Sequence, residues 1–167
     1  RKFKTAIEKW KALPSDDFRN SLLNSFSRFM LSKDQLNIIL DQNSSKREQH
    51  GLISKAEVVL ENPYVLTEEM LLDGDTIPFA LIDQGLCPAP NVGYEALFEP
   101  EDSDRLRAIA FGILREEASK GHTWTPESIL IERMNNLSTS NHPLAIDAFR
   151  LKSCREPWRK KISYLSN

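Results

Sequence analysis

The chain has 167 residues, of which 40% are hydrophobic and 28% charged, with a formal net charge of −2. That length supports one domain or two small ones with a real core, and the balance of residue types excludes wholesale disorder. No run of about 18 apolar residues occurs, which excludes a membrane-spanning helix. Charge is segregated along the chain. Residues 1–55 hold eleven basic and six acidic side chains, residues 56–104 hold twelve acids and no Lys or Arg, and residues 105–167 repeat the first count. A nucleic acid would be drawn to the flanks and repelled by the centre. The plainer alternative is an acidic stretch that only solvates itself. Cys87 and Cys154 stand apart, without a Cys-x-x-Cys pair or a His at zinc spacing. Two reduced thiols in a cytoplasmic protein are therefore expected. The start Arg1-Lys2-Phe3-Lys4 has no Met and no signal-type segment, and it reads as an excision from a longer protein.

The pattern is helical almost throughout. Phe18, Leu22, Phe26, Phe29 and Met30 recur at spacings of three and four and form one apolar stripe. Ser32-Lys33-Asp34-Gln35 is a capping-box sequence that starts a helix carrying Leu36, Ile39 and Leu40 inward. Gly51 breaks the chain before a helix over residues 53–60, which ends at Asn62-Pro63. Thr67-Glu68-Glu69 begins another short helix, its acids suited to the positive end of the dipole. Asp73-Gly74-Asp75 reads as a turn, and residues 76–84 as a helix with Pro78 in its first turn and Gly85 as a left-handed stop.

Residues 87–100 contain Pro88, Pro90, Gly93 and Pro100 and read as a linker. Leu106, Ile109, Ala110, Ile113, Leu114 and Ala118 then form a continuous apolar face, closed by Gly121. Thr125-Pro126-Glu127 launches a helix with Leu130, Met134 and Leu137 on one side. Residues 138–143 break again, and the remainder reads as one or two short helices interrupted at Pro157. A small hairpin over residues 121–125 is the one place where the sequence tolerates a sheet.

Catalytic chemistry is missing. No Gly is followed by Lys, so there is no phosphate loop for ATP. His50, His122 and His142 are scattered, and the pairs Asp16-Asp17 and Glu116-Glu117 point around a helix instead of at one substrate. No catalytic, cofactor-binding or metal-ligating residue is assigned.

Three phrases carry a family resemblance: Asn62-Pro63-Tyr64, then Ile77-Pro78-Phe79 with Asp83, then Gly121-His122-Thr123 with Pro126. In this order they resemble the helix-hairpin-helix-containing region that precedes the motor in RecD-like DNA helicases and exonuclease V alpha-subunit-like proteins. The similarity spans about residues 53–137. It implies a non-catalytic, DNA-binding or strand-guiding accessory domain. Magnesium and ATP would belong to a motor elsewhere in a full-length ATP-dependent helicase of DNA repair and recombination. Partners would be single-stranded or forked DNA and the motor domains. One departure matters: Pro78 stands where the family usually places glycine. Proline has no amide to offer a phosphate, so phosphate contact by this hairpin is not carried over.

The flanks are the better candidates for DNA. Arg105 and Arg107 sit near the start of the long helix, and Lys120 and His122 at its end. At the C-terminus Arg155, Trp158, Arg159, Lys160 and Lys161 mix cations with an aromatic, a combination that neutralises phosphates and stacks on a base. The competing reading is a solvated face with Trp158 packed inward. The Gly121-His122-Thr123 phrase is either a helix stop with a hydrogen-bonded turn or a ligand site.

The expected fold is all-α with little or no sheet. Residues 1–86 form a helix-hairpin-helix-like lobe, 87–100 an acidic linker and 101–167 a second helical lobe. The alternative function is a protein-interaction or regulatory module that docks a basic partner through residues 57–104.

Overall fold

The computed structural model describes residues 8, 10–13, 15–41, 43–72, 75–137, 142–159 and 161–165. The turn expected at Asp73-Gly74 and residues 138–141 of the expected break lie outside them. The fold is all-α. Helix α1 (Asp16–Phe26) starts where the Ser15 hydroxyl accepts a hydrogen bond from the Phe18 amide at 3.0 Å, which satisfies one of the free first-turn donors. Its stripe buries Phe18, Leu22 and Phe26, and Phe29 joins them from the following turn. Met30 does not, and is 86% exposed. The helical register ends at Phe26, so spacing no longer places Met30 on that face. Helix α2 (Lys33–Ile39) has both halves of its capping box, Ser32 to Gln35 and back. A short α3 (Ser44–Gln49) follows, capped by Asn43.

The next two helices begin away from their expected positions. The amides of Ile53 and Ser54 donate to Glu69 Oε2 at 3.1 and 2.9 Å. That contact holds residues 53–54 out of the helix, and α4 (Ala56–Glu61) begins later than residue 53. Helix α5 (Val65–Glu69) begins before Thr67, so Glu68 and Glu69 occupy its last turn. Acids there oppose the helix dipole and need cations nearby. Beyond it, β1 (Leu71–Leu72) and β2 (Asp75–Thr76) form a two-residue antiparallel ladder.

Helix α6 (Phe79–Leu86) starts directly after Pro78, which needs no amide partner there. Gly85 lies inside this helix and closes nothing. Its lack of a side chain matters because an added Cβ would sit 2.7 Å from the Arg28 carbonyl oxygen and 2.9 Å from the Phe29 ring. Helix α7 (Ser103–Ser119) is capped by the Asp102 carboxylate, which accepts from the Asp104 amide at 2.8 Å. It ends at Gly121, whose φ of 89° suits glycine. Residues 121–125 contain no strand. Helices α8 (Glu127–Asn135), α9 (Ala148–Ser153) and α10 (Arg155–Trp158) complete the chain, with Pro157 tolerated in the first turn of α10.

Buried apolar side chains form two clusters. One joins α1 to α6, with Ile39, Leu52, Val59, Leu66, Met70 and Ile82 among its most enclosed members. The other gathers Leu106, Ile109, Met134, Leu151 and Trp158. Helix α7 belongs to both, because Ala108 packs into the first and its neighbours into the second. Phe79 also touches both. Residues 87–100 carry no helix or strand but are tied down. The amides of Leu97 and Phe98 donate to the Leu86 carbonyl at 2.7 and 3.1 Å, and Arg28 Nη1 donates to the Glu95 carbonyl at 2.5 Å.

Candidate functional site

Residues from two of the three phrases, together with Arg105, meet inside the molecule. The Tyr64 hydroxyl donates to Asp83 Oδ1 at 2.7 Å. Arg105 grips the same carboxylate in bidentate fashion, Nε to Oδ1 at 2.7 Å and Nη2 to Oδ2 at 3.0 Å, and its Nη1 donates to the Pro100 carbonyl at 2.5 Å. Rings close the site. Tyr64 stacks on Phe79 with centroids 5.8 Å apart and meets Phe98 edge-on at 5.2 Å. The Arg105 side chain is 0% exposed and that of Asp83 1%. Burial opposes the Arg105 charge, but the hydrogen bond and charge of Asp83 outweigh it and hold its pKa above the ordinary value. Burial, then the charge and hydrogen bond of Asp83, pushes the Tyr64 hydroxyl far up. The network joins α6 to α7 and consumes every charge it contains.

A second set of pairs compensates the acids at the end of α5. Arg107 Nε donates to Glu68 Oε1 at 2.9 Å, and its Nη1 to Asp104 Oδ1 at 2.6 Å. Arg115 reaches the Thr67 carbonyl at 3.3 Å and also the Glu68 carbonyl, placing positive charge at the negative end of the helix. Lys161 pairs with Glu69. Burial works against the Glu69 charge, yet the Lys161 and Ser54 hydrogen bonds hold its carboxyl below the usual range. The charge blocks of the sequence thus fold onto one another, with cations of residues 105–161 holding acids of residues 68–104.

The remaining candidates lie elsewhere. Lys120 pairs with Glu116 at 2.6 Å and Glu117 at 3.0 Å. His122 Nδ1 lies 2.6 Å from Glu117 Oε2, and Arg133 meets both glutamates. The His122 hydrogen bond, and then that of Lys120, holds the Glu117 carboxyl down to about 2. The His122 amide also donates to the Glu117 carbonyl at 3.1 Å, so the Gly121-His122-Thr123 phrase forms a bonded helix stop. Trp124 beside it is 65% exposed. Arg155 pairs with Glu127 and lies over the Tyr164 ring, and Arg159 pairs with Glu156 at 2.8 Å. Trp158 is buried, and its Nε1 donates to the Ser103 carbonyl at 3.0 Å. Lys160 lies outside the described residues.

The described cations selected for DNA are thus engaged within the fold. Arg105 and Trp158 are sealed inside and can meet neither a phosphate nor a base. Arg107, Lys120, His122, Arg155, Arg159 and Lys161 each have a carboxylate partner. Sequence reasoning also passed over an open cleft of about 510 Å³ along residues 87–100, lined by Pro88, Pro90, Tyr94, Glu95, Glu99 and His142. The only signal there was exposed apolar chemistry within a stretch that Pro and Gly marked as a connector. Among the described residues no group of three or more His, Cys, Asp or Glu could hold a metal ion, and no helix is long and apolar enough to cross a membrane. Comparison of the chain with family models, with curated proteins and with solved structures gave no match.

Proposed function

We propose that the chain is a non-catalytic accessory module of a RecD-like, ATP-dependent DNA helicase or exonuclease. It guides or separates strands for a motor that binds magnesium and ATP outside these residues. One observation carries this reading. Tyr64 from the first phrase of the resemblance meets Phe79 and Asp83 from the second in a single buried network that fastens α6 to α7. That two of the phrases share one interior contact supports reading them as parts of one architecture. The carboxylate pairing of the outer cations makes the module a weak, salt-sensitive guide. Anisotropy of labelled single-stranded, duplex and forked DNA across a salt series tests it. Binding that weakens linearly in log salt, falls with Arg159→Ala and rises with Glu156→Gln supports the reading. No binding at low salt overturns the DNA role.

A second reading, docking to a basic partner through the acidic centre, is favoured by the cleft along residues 87–100. There Glu95 and Glu99 are exposed beside Val92, Tyr94 and Leu97, and neither carboxylate meets a cation among the described residues.

A further inference from the structure

We infer that the cleft along residues 87–100 is a docking groove for an extended, arginine-bearing segment of a partner protein, an inference that rests on the docking reading above and names its site and ligand chemistry. Asp83, Glu68, Glu69 and Asp104 are taken by Arg105, Arg107 and Lys161, and Glu101 lies 3.8 Å from Arg150. Glu57, Glu61, Glu95 and Glu99 of the same central block are exposed and join no salt bridge among the described residues, and of these Glu95 and Glu99 line an open, largely apolar cleft. A volume of about 510 Å³ falls within the ~300–1,000 Å³ usual for binding sites.

The walls match one kind of occupant. Pro88, Pro90, Pro100 and the Tyr94 ring offer stiff apolar surfaces that lose little entropy on binding. An arginine side chain suits them, because its stem covers apolar surface while its planar head forks onto a carboxylate or lies over a ring. The molecule supplies an internal precedent. The Arg28 guanidinium lies 5.3 Å from the Tyr94 ring centroid and donates to the Glu95 carbonyl at 2.5 Å. That contact uses the Glu95 backbone and leaves its carboxylate for a second guanidinium. The two glutamates repel a phosphate backbone, which sets this groove apart from any DNA-facing surface.

The full chain is titrated into a short fluorescein-labelled peptide of alternating arginine and leucine, with the glutamate-for-arginine peptide as control. Saturable binding is expected for the arginine peptide only, and weaker by about tenfold in the Glu95→Gln/Glu99→Gln double variant. Tyr94→Ala weakens it as well, while Glu57→Gln/Glu61→Gln on α4 leaves it unchanged. The glutamine variants leave folding intact, because neither the Glu95 nor the Glu99 carboxylate joins a salt bridge among the described residues. Equal weakening by the α4 pair, with none from the groove pair, overturns this groove while leaving the docking reading standing. Absence of peptide binding at low salt overturns both.

Discussion

Two ionic clusters on α7 use the same residue types to opposite ends. Near its start, Arg105 and Asp83 are enclosed, share a bidentate contact and are fixed further by Tyr64. Near its end, Glu116, Glu117, Lys120, His122 and Arg133 pair in several combinations, with side chains mostly open to solvent. In the first place both charged side chains are enclosed, so losing one strands the charge of the other. In the second, water and salt take over whatever a partner gives up. Burial, not the number of ion pairs, decides which cluster the fold depends on.

The largest effect therefore comes from breaking the enclosed pair. Asp83→Ala should cost roughly 3–5 kcal/mol in urea denaturation, since it leaves the Arg105 guanidinium uncompensated. Replacing both partners, Asp83→Leu with Arg105→Met, should recover much of that loss. If the double variant is no better than the single, the cost lies in packing and not in stranded charge.

A smaller effect sharpens the same point. Tyr64→Phe removes one donor to a carboxylate that Arg105 still holds, and should cost about 1–2 kcal/mol. Because the native Tyr64 hydroxyl has a pKa far above the ordinary 10, its contribution is complete below pH 10 and declines as pH rises beyond that. In alkaline titration Tyr64 should remain protonated until the chain unfolds, and Tyr64→Phe should flatten the fall of stability above pH 10.

The outer cluster gives the smallest response. The Glu117 carboxyl is held below its ordinary 4.5, to about 2, so its contribution is present above pH 4.5 and lost as pH falls toward 2. A carboxyl titration followed by NMR should show His122→Ala returning this pKa toward 4.5, with no resolved change in the denaturation midpoint at neutral pH. A large midpoint shift would mean that the turn is holding the second cluster together.

These contrasts also explain what the sequence could tell. Local patterns located the face of Leu106, Ile109, Ala110 and Ile113 and the Ser32–Gln35 capping box, because both depend on neighbours within a few residues, whereas Ala118, assigned to the same face, is exposed near the helix end. The start of α4 was illegible, since Glu69 reaches back to hold Ile53 and Ser54 ahead of it. Gly85 reads locally as a helix stop, yet its role comes from the Arg28 carbonyl, far away along the chain. Arg105, Arg107 and Lys161, chosen for DNA by their charge, turned out to pair with Asp83, Glu68 and Glu69, because a one-dimensional count cannot show that these central acids lie opposite them. The 87–100 cleft was hidden for the same reason: Pro and Gly mark a connector, and only folding shows what the connector lies against.

Helix α7 has a dynamic consequence. Because Ala108 sits in one core while Leu106, Ile109 and Ile113 sit in the other, the helix cannot fray on one side without opening both. Its central amides should exchange with deuterium only through global unfolding, and more slowly than those of α1 or α9. A protease cut within residues 87–100 should leave two pieces that migrate as one, held by a helix that neither side can release alone.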